Sequence, residues 1–279
     1  MALDFIDPWA EDWWSHLVAL HASLPGGAHL HLLIDSAFKP GLCTALQQAG
    51  ASLACLFDGN PGDPDVLRTV TPMLWPFDPH QLAVQRQLAQ GSGAPMISAI
   101  VSPESLSALA ARLRPWCVVE VDGQWFNCRY PDTRRLPGFY AALTSDQRGH
   151  LSGPAMAWHF MGRDGQWASL DVQAQDLPPL TEVRLSKVQF AQILDDAQAD
   201  EILFKFMMQG QHQGRQHSVL HAQVVQALHT ARAQALDEAL YATWCGHWVS
   251  KMATRPESAP MDASDRQMAL REWMQENTA

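Results

Sequence analysis

Short apolar runs alternate with amphipathic segments over the first two thirds of the chain. Three runs are rich in Leu, Ile and Val and bounded by Gly, Pro or Asp, which is typical of β-strands: His29–Ile34, Ser52–Phe57 and Met96–Val101. An Asp or Ser followed by proline marks candidate helix starts at 7–8, 63–64, 78–79 and 102–103. The side-chain oxygen caps a backbone N–H, and proline has no N–H that needs a partner. The alternation predicts an α/β layer.

Two Asp-Gly pairs predict β-hairpins, because this dipeptide accommodates the positive φ angles of a type I′ turn. Asp122-Gly123 joins Trp116–Val121 to Gln124–Arg129, and Asp164-Gly165 joins Ala157–Met161 to Gln166–Leu170. In the first hairpin, strand alternation assigns one face to the core and the other to the outside. The core face comprises Cys117, Val119, Val121, Phe126 and Cys128, and the outer face comprises Trp116, Val118, Glu120, Trp125, Asn127 and Arg129.

After Leu177 the pattern changes to helical periodicity with little strand signal. From Ser186 onward, apolar residues recur at three- and four-residue spacing. A Pro- and Ser-rich linker at 255–263 precedes a last amphipathic helix at 264–275. The sequence therefore predicts an α/β N-terminal lobe at 1–177, with a mixed sheet, helices and hairpins, and an all-α C-terminal lobe at 178–279.

Composition and charge narrow the class of partner. The 279 residues are 47% hydrophobic and 17% charged, and their net charge is −10. This negative charge disfavours binding to nucleic acid or to an anionic membrane, and no apolar run approaches the roughly 18 residues of a membrane span. Five widely spaced cysteines and an acidic start without a secretory signal predict a reduced, cytoplasmic protein.

No local motif indicates catalysis or a cofactor. The glycine-rich and Walker nucleotide motifs and the serine-hydrolase elbow are absent from the sequence. His217 and His221 lie four residues apart on a predicted helix, but a zinc site needs at least a third ligand, so ordinary helix histidines are expected. Cys117 and Cys128 face each other across the hairpin, where free thiols are favoured over a disulfide. We expect no metal, no cofactor and no enzyme activity.

Five arginines concentrate around the first hairpin of an otherwise acidic chain: Arg112, Arg114, Arg129, Arg134 and Arg135. Such a local reversal of charge would steer an acidic partner segment towards this surface. The alternative is that the arginines form ion pairs with Glu120, Asp122 and Asp132. Under that alternative they stabilise the fold instead of binding a partner.

A second candidate surface is aromatic and rich in methionine. Trp244 and Trp248 lie four residues apart on a predicted helix, and Phe204 and Met208 lie in the same predicted helical lobe. Tryptophan is common at protein interfaces, and methionine adapts to varied apolar helices. These residues are candidates for an exposed groove, and gap-filling in a core is the competing interpretation.

Six short segments between residues 29 and 170 form an ordered series. They are H-L-L-I-D-S-A-F-K-P-G-L at 31–42, L-F-D-G at 56–59, V-T-P-M-L at 70–74, S-P-E-S-L at 102–106 with R-L-R at 112–114, F-N-C-R-Y-P-D-T-R-R-L at 126–136, and Gly153-Pro154 with Trp158. In this order they resemble the type VI secretion adaptor chaperones, the Tap or TEC family. The chain departs from the family pattern in Tyr130-Pro131-Asp132-Thr133 and in lacking a Trp-Gly pair before the serine helix.

The resemblance implies a cytoplasmic adaptor without catalysis, which holds a toxic effector and helps load it onto the VgrG spike of the type VI machine. The implied partners are a secreted effector protein and VgrG, with no nucleic acid and no membrane insertion. Two alternatives from other classes stay open. One is a small-molecule enzyme with a site between the lobes, and the other is a structural baseplate component.

Overall fold

The computed structural model describes residues 5–58, 63–210, 214–253 and 262–277. The chain divides into two compact units, unit 1 at Met1–Asp196 and unit 2 at Ala197–Ala279. The sequence placed this boundary earlier, near Leu177. The residues that follow Leu177 stay with unit 1 because Val183 pairs with Val119 of the first hairpin. In addition, the Phe190 ring lies 4.6 Å from the Phe126 ring.

Within the described residues, unit 1 combines two sheets with seven α-helices and the first part of an eighth. Its strands are β1 (His29–Asp35), β2 (Ala54–Cys55), β3 (Pro72–Pro76), β4 (Ile97–Ser102), β5 (Val118–Val121), β6 (Gln124–Asn127), β7 (Ala157–Met161), β8 (Trp167–Leu170) and β9 (Val183–Arg184). Its helices are α1 (Trp13–Ala22), α2 (Leu42–Gln48), α3 (Pro64–Val70), α4 (Leu82–Ala89), α5 (Leu106–Leu113), α6 (Leu136–Ala142) and α7 (Ser145–Ser152). The division between the units falls inside α8 (Lys187–Met208). Unit 2 continues with α9 (His217–Ala233), α10 (Tyr241–Ala253) and α11 (Ala263–Asn277).

The larger sheet has the strand order β2-β3-β1-β4-β7-β8, and each of its pairs is antiparallel. Its central strand β4 is buried at all six positions, which explains why the sequence there is apolar apart from Ser98 and Ser102. The predicted α/β N-terminal lobe with a sheet and the predicted helical C-terminal region are confirmed. The strand predictions did not include β3, whose first and last residues are prolines, a residue type that is uncommon in strand interiors.

The first hairpin follows the predicted register. Asp122 and Gly123 have φ angles of 53° and 79°, as a type I′ turn requires, and Val119 pairs with Phe126. Val119 and Val121 are buried as predicted, whereas the placement of Trp116 on the outer face is wrong. Trp116 lies in a 3-10 turn at Arg114–Cys117 that directly follows α5, and this turn directs its ring into the core.

Only one of the four proline-containing signals marks the start of a helix directly. Asp63 caps α3 by accepting the N–H of Asp65. The signals at 7–8 and 78–79 lie in loops before α1 and α4, and the signal at 102–103 begins at the last residue of β4, before α5. At 78–79 the Asp78 carboxylate accepts the N–H of His80 in a local turn, and α5 is capped by Ser105 instead of Ser102. Within the described residues, no helix is long and apolar enough to cross a membrane.

Unit 2 has its own hydrophobic core, formed by one side of α8 with α9, α10 and α11. Trp244 and Trp248 are fully buried there, so the expectation that they line an exposed groove is wrong. Their four-residue spacing places both on the inner stripe of α10. The Trp244 Nε1–H donates to the Ala227 carbonyl at 3.0 Å, and its ring lies 5.7 Å from the Trp273 ring. Phe204 and Met208 remain exposed, at 45% and 65%.

The buried position of Trp248 predicts a large loss of stability on truncation. Trp248→Ala should lower the free energy of unfolding of unit 2 by about 3–5 kcal/mol, because it removes a fully buried ring and leaves a cavity. Trp125 is 57% exposed on β6, and Trp125→Ala should change the free energy by less than about 0.5 kcal/mol. Denaturant unfolding followed by circular dichroism measures both, and equal effects of the two substitutions would contradict the buried assignment.

Candidate partner-binding surfaces

Arg112 is buried in unit 1, where its side chain bonds to other segments, so it is not available as a surface cation. Its side chain is 4% exposed and pairs with Glu104 at 2.8 Å. Its Nη1 donates to the carbonyls of His150 and Leu177, at 3.0 and 2.9 Å. The guanidinium packs so closely on Gly153 that a Cβ there would lie 2.3 Å from Cζ. The glycine of the Gly-Pro segment therefore makes room for this buried ion pair.

Hydrogen bonds and an ion pair within unit 1 also involve Arg114, Arg134 and the backbone of Arg135. Arg114 donates to the backbone carbonyls of Leu56 and Cys55, at 3.3 and 3.4 Å. Arg134 is paired with Asp132 at 2.8 Å and has a side-chain exposure of 12%. Arg135 directly precedes α6, and its backbone N–H donates to the Asp132 carbonyl. Arg129 and Arg134 both lie against the Phe38 ring, at 5.3 and 5.5 Å, but Arg112 and Arg134 are nearly buried, so the five arginines do not form one exposed cluster.

The acidic partners predicted for these arginines are correct in one case. Asp132 does pair with Arg134. Glu120 instead faces Arg184 at 3.5 Å, and Asp122 pairs with Lys187 at 2.7 Å. Sequence reasoning missed the acidic residues that pair with Arg112 and Arg129, namely Glu104 and Asp35. Asp35 had a signal in the sequence, since it is the aspartate of the first family-like segment.

Arg129 is the one of the five that combines an ion pair with substantial exposure. Its Nη2 lies 2.8 Å from Asp35 Oδ2, and its side chain is 52% exposed while that of Asp35 is 2% exposed. The other Asp35 oxygen accepts the N–H of Ala37. Burial raises the pKa of Asp35 above its ordinary value, and the neighbouring Arg129 cation acts in the opposite direction. A buried carboxylate is thus held beside a half-exposed cation.

The Asp35–Arg129 pair borders a small cavity of about 180 Å³. Its apolar wall includes Phe57, Val70 and Pro131. Cys117 and Cys128 also line the cavity, and both thiols are free, as the sequence predicted. Burial raises the pKa of each thiol to about 12, which keeps both protonated near neutral pH and disfavours a nucleophilic role.

A larger groove of about 470 Å³ lies in unit 2 between α8 and α10. Its lining residues include Lys205 and Phe206 on α8, Gln209 directly after α8, and Thr243, Gly246 and His247 on α10. Lys205 and His247 are exposed, whereas Phe206 belongs to the core of unit 2. Of the nine predicted partner-binding residues, Phe204 and Met208 lie on the helix that forms one wall of this groove. Sequence reasoning did not identify Lys205 or Gly246, because neither belongs to a recognisable motif.

His217 and His221 lie on α9 as predicted. Within the part of the chain that the structure describes, no three His, Cys, Asp or Glu side chains come close enough to hold a metal ion.

Comparison with known families gives one match. Residues 30–150 match the model of a family described as a domain of unknown function, DUF4123. The matched segment runs from β1 into α7, so it contains the Asp35–Arg129 pair and the Arg112–Glu104 pair and ends before unit 2. No curated protein and no solved structure matches the chain.

The buried pair of Arg112 and Glu104 yields a stability prediction. Arg112→Met leaves the Glu104 carboxylate unpaired and poorly solvated, and it removes the donor from the carbonyls of His150 and Leu177. We therefore expect it to lower the free energy of unfolding by about 3–5 kcal/mol. The matched control is Arg68→Met, which removes an exposed pair with Asp65 and should cost less than about 1 kcal/mol. Denaturant unfolding of both variants tests the difference, and a small effect of Arg112→Met would contradict the structural role.

Asp35 predicts a pH dependence of stability with a defined sign. Because its pKa is raised in the folded state, the folded protein retains a proton that the unfolded chain releases. This contribution is fully present below the ordinary carboxyl pKa near 3.8 and is lost as the pH rises through the higher folded value. Asp35→Asn lacks this titration. The free energy of unfolding of this variant, measured relative to that of the wild type, should therefore increase as the pH rises above about 4. Parallel unfolding curves from pH 4 to 8 measure the trend, and a trend of opposite sign would refute the assignment.

Proposed function

We propose that this protein is a cytoplasmic adaptor that binds a type VI secretion effector and helps load it onto the VgrG spike, without catalysing a reaction. The observation that carries the proposal is the match of residues 30–150 to DUF4123, a family associated with type VI adaptor chaperones. The six family-like segments of the sequence provide the second support, since most of them lie within the matched residues.

The family-like segments contain residues of unit 1 that are buried, paired or closely packed. Asp35 ends β1, caps the following 3-10 turn and pairs with Arg129. The segment at 70–74 contributes most of β3, which pairs with β1 in the larger sheet. Gly153 makes room for Arg112, and Trp158 is almost fully buried. The resemblance therefore follows the framework of the fold and not only its exposed loops. Gly59, the last residue of the L-F-D-G segment, lies outside the described residues.

The surface of the protein supports a role in binding another protein. A net charge of −10 disfavours nucleic acid. Large apolar side chains are nevertheless exposed in both units, among them Trp125 in unit 1 and Met208 in unit 2. Exposed aromatic and methionine side chains are common in surfaces that bind protein partners.

Co-purification from the source bacterium tests this function directly. The tagged protein, expressed at its native level, should enrich one effector and VgrG, identified by quantitative mass spectrometry against an untagged strain. Deletion of the gene should reduce the amount of that effector found on VgrG and in the culture medium. Effectors carried by other spikes should be secreted unchanged, because an adaptor acts on its own cargo.

Two results would contradict the proposal. One is an unchanged amount of every effector on VgrG in the deletion strain. The other is enrichment of neither an effector nor VgrG when the tagged protein itself is recovered intact and folded.

A further inference from the structure

The groove between α8 and α10 differs in charge from the protein as a whole. The chain carries a net charge of −10, whereas the ionisable side chains lining the groove, Lys205 and His247, are both basic. Lys205 is exposed and forms no ion pair within the described residues. A third basic group, Arg215, donates to the Val249 carbonyl, next to the groove-lining Ser250. The groove is therefore suited to a ligand with negative charge.

The shape of the groove depends on Gly246. This residue lies on the groove side of α10, and a Cβ added there would meet the Phe206 ring at 3.6 and 3.7 Å, which is ordinary van der Waals contact. The backbone of α10 therefore does not require glycine at this position, and a side chain there would occupy groove space. Between Ala242 and Ser250 the groove follows α10 for about 12 Å, or roughly two helical turns at 1.5 Å per residue.

Exposed apolar side chains lie along the same helix. Phe204 and Met208 are one turn apart on α8, with 45% and 65% of their surface exposed. Lys205, which follows Phe204, contributes to the groove itself. Neither of these two side chains lines the groove, so the apolar contact inside it comes from Phe206 and Ala242, beside the basic Lys205. An amphipathic helix offers this combination, since its apolar residues recur at three and four positions and its flanks carry charge.

We propose that the groove between α8 and α10 binds an acidic amphipathic helix of the effector. The assignment rests on the proposed function, because it takes the effector as the partner. Apolar residues of that helix contact Phe206 and Ala242, and an Asp or Glu on its flank pairs with Lys205. Unit 2 lies outside the matched residues 30–150, so this surface belongs to the part of the chain that the family match does not cover.

Photo-crosslinking of the purified adaptor–effector complex tests the assignment. A photoreactive phenylalanine analogue replaces Thr243 or Ser250, which are exposed and line the groove, and the control position is Val225, which is 43% exposed on α9. Mass spectrometry should place the crosslinks from the groove positions in one acidic, helical segment of the effector. The control position should give no crosslink to that segment.

Binding measurements with the same purified effector add a second readout. Gly246→Leu fills the groove and should weaken effector binding about tenfold or more, whereas Gly246→Ala adds one methyl group and should have a much smaller effect. Lys205→Glu should weaken binding and reduce its dependence on salt. Arg68→Glu makes the same change of charge on an exposed residue of unit 1 and should leave the affinity unchanged. Each variant is first checked for an unchanged thermal unfolding profile, and Lys205→Glu still tests the site if Gly246→Leu fails to fold.

Each remaining outcome counts against the proposal. If the effector binds Lys205→Glu and every folded Gly246 variant at wild-type strength, the groove assignment is wrong while the adaptor function stands. Crosslinks from the groove to VgrG, or to a second copy of this chain, also overturn the effector helix as its occupant. If no effector co-purifies at all, the proposed function fails, and the groove assignment fails with it.

Discussion

The fold of unit 1 depends on burial of both faces of its central strands. In β1, Leu32 and Ile34 point into one hydrophobic cluster, and Leu33 between them points into a second cluster on the opposite face. An antiparallel sheet often leaves one face in water, but here neither face is available to solvent at the centre. Each face must be covered by further elements, and this requirement explains why helices alternate with strands along the chain.

Burial of both faces of the sheet also explains the position of the Arg112 side chain. Arg112 lies among elements that cover the sheet, and its guanidinium bonds Glu104 and the carbonyls of His150 and Leu177. These bonds link the segment before α5, the end of α7 and the chain at Leu177. A buried guanidinium is tolerated because nearly all of its donors find oxygen acceptors. Arg112, which the sequence groups with a candidate binding patch, therefore holds covering segments in place.

Unit 2 has a simpler construction than unit 1, because its amphipathic helices share one hydrophobic core and expose their other faces. The aromatic residues of α10 point inward because they fall on its apolar stripe. In the part of α8 that belongs to unit 2, Phe204 and Met208 are exposed because they fall outside the buried stripe of that helix. Partner binding in this unit would thus use the residues left over by core packing, together with the basic groups beside them.

The sequence by itself determined the elements whose signal is local. The type I′ hairpin follows from Asp122-Gly123 and alternating residues, and the apolar run at β4 and the periodicity of α9 needed no tertiary information. Only the tertiary structure decided the partners of the charged residues, because Asp35 and Arg129 are 94 positions apart and meet only when β1 and the segment after β6 are packed together. It likewise decided that Trp248 is core while Met208 is surface. Both are apolar residues on amphipathic helices, and their exposure depends on which neighbouring helices cover each face.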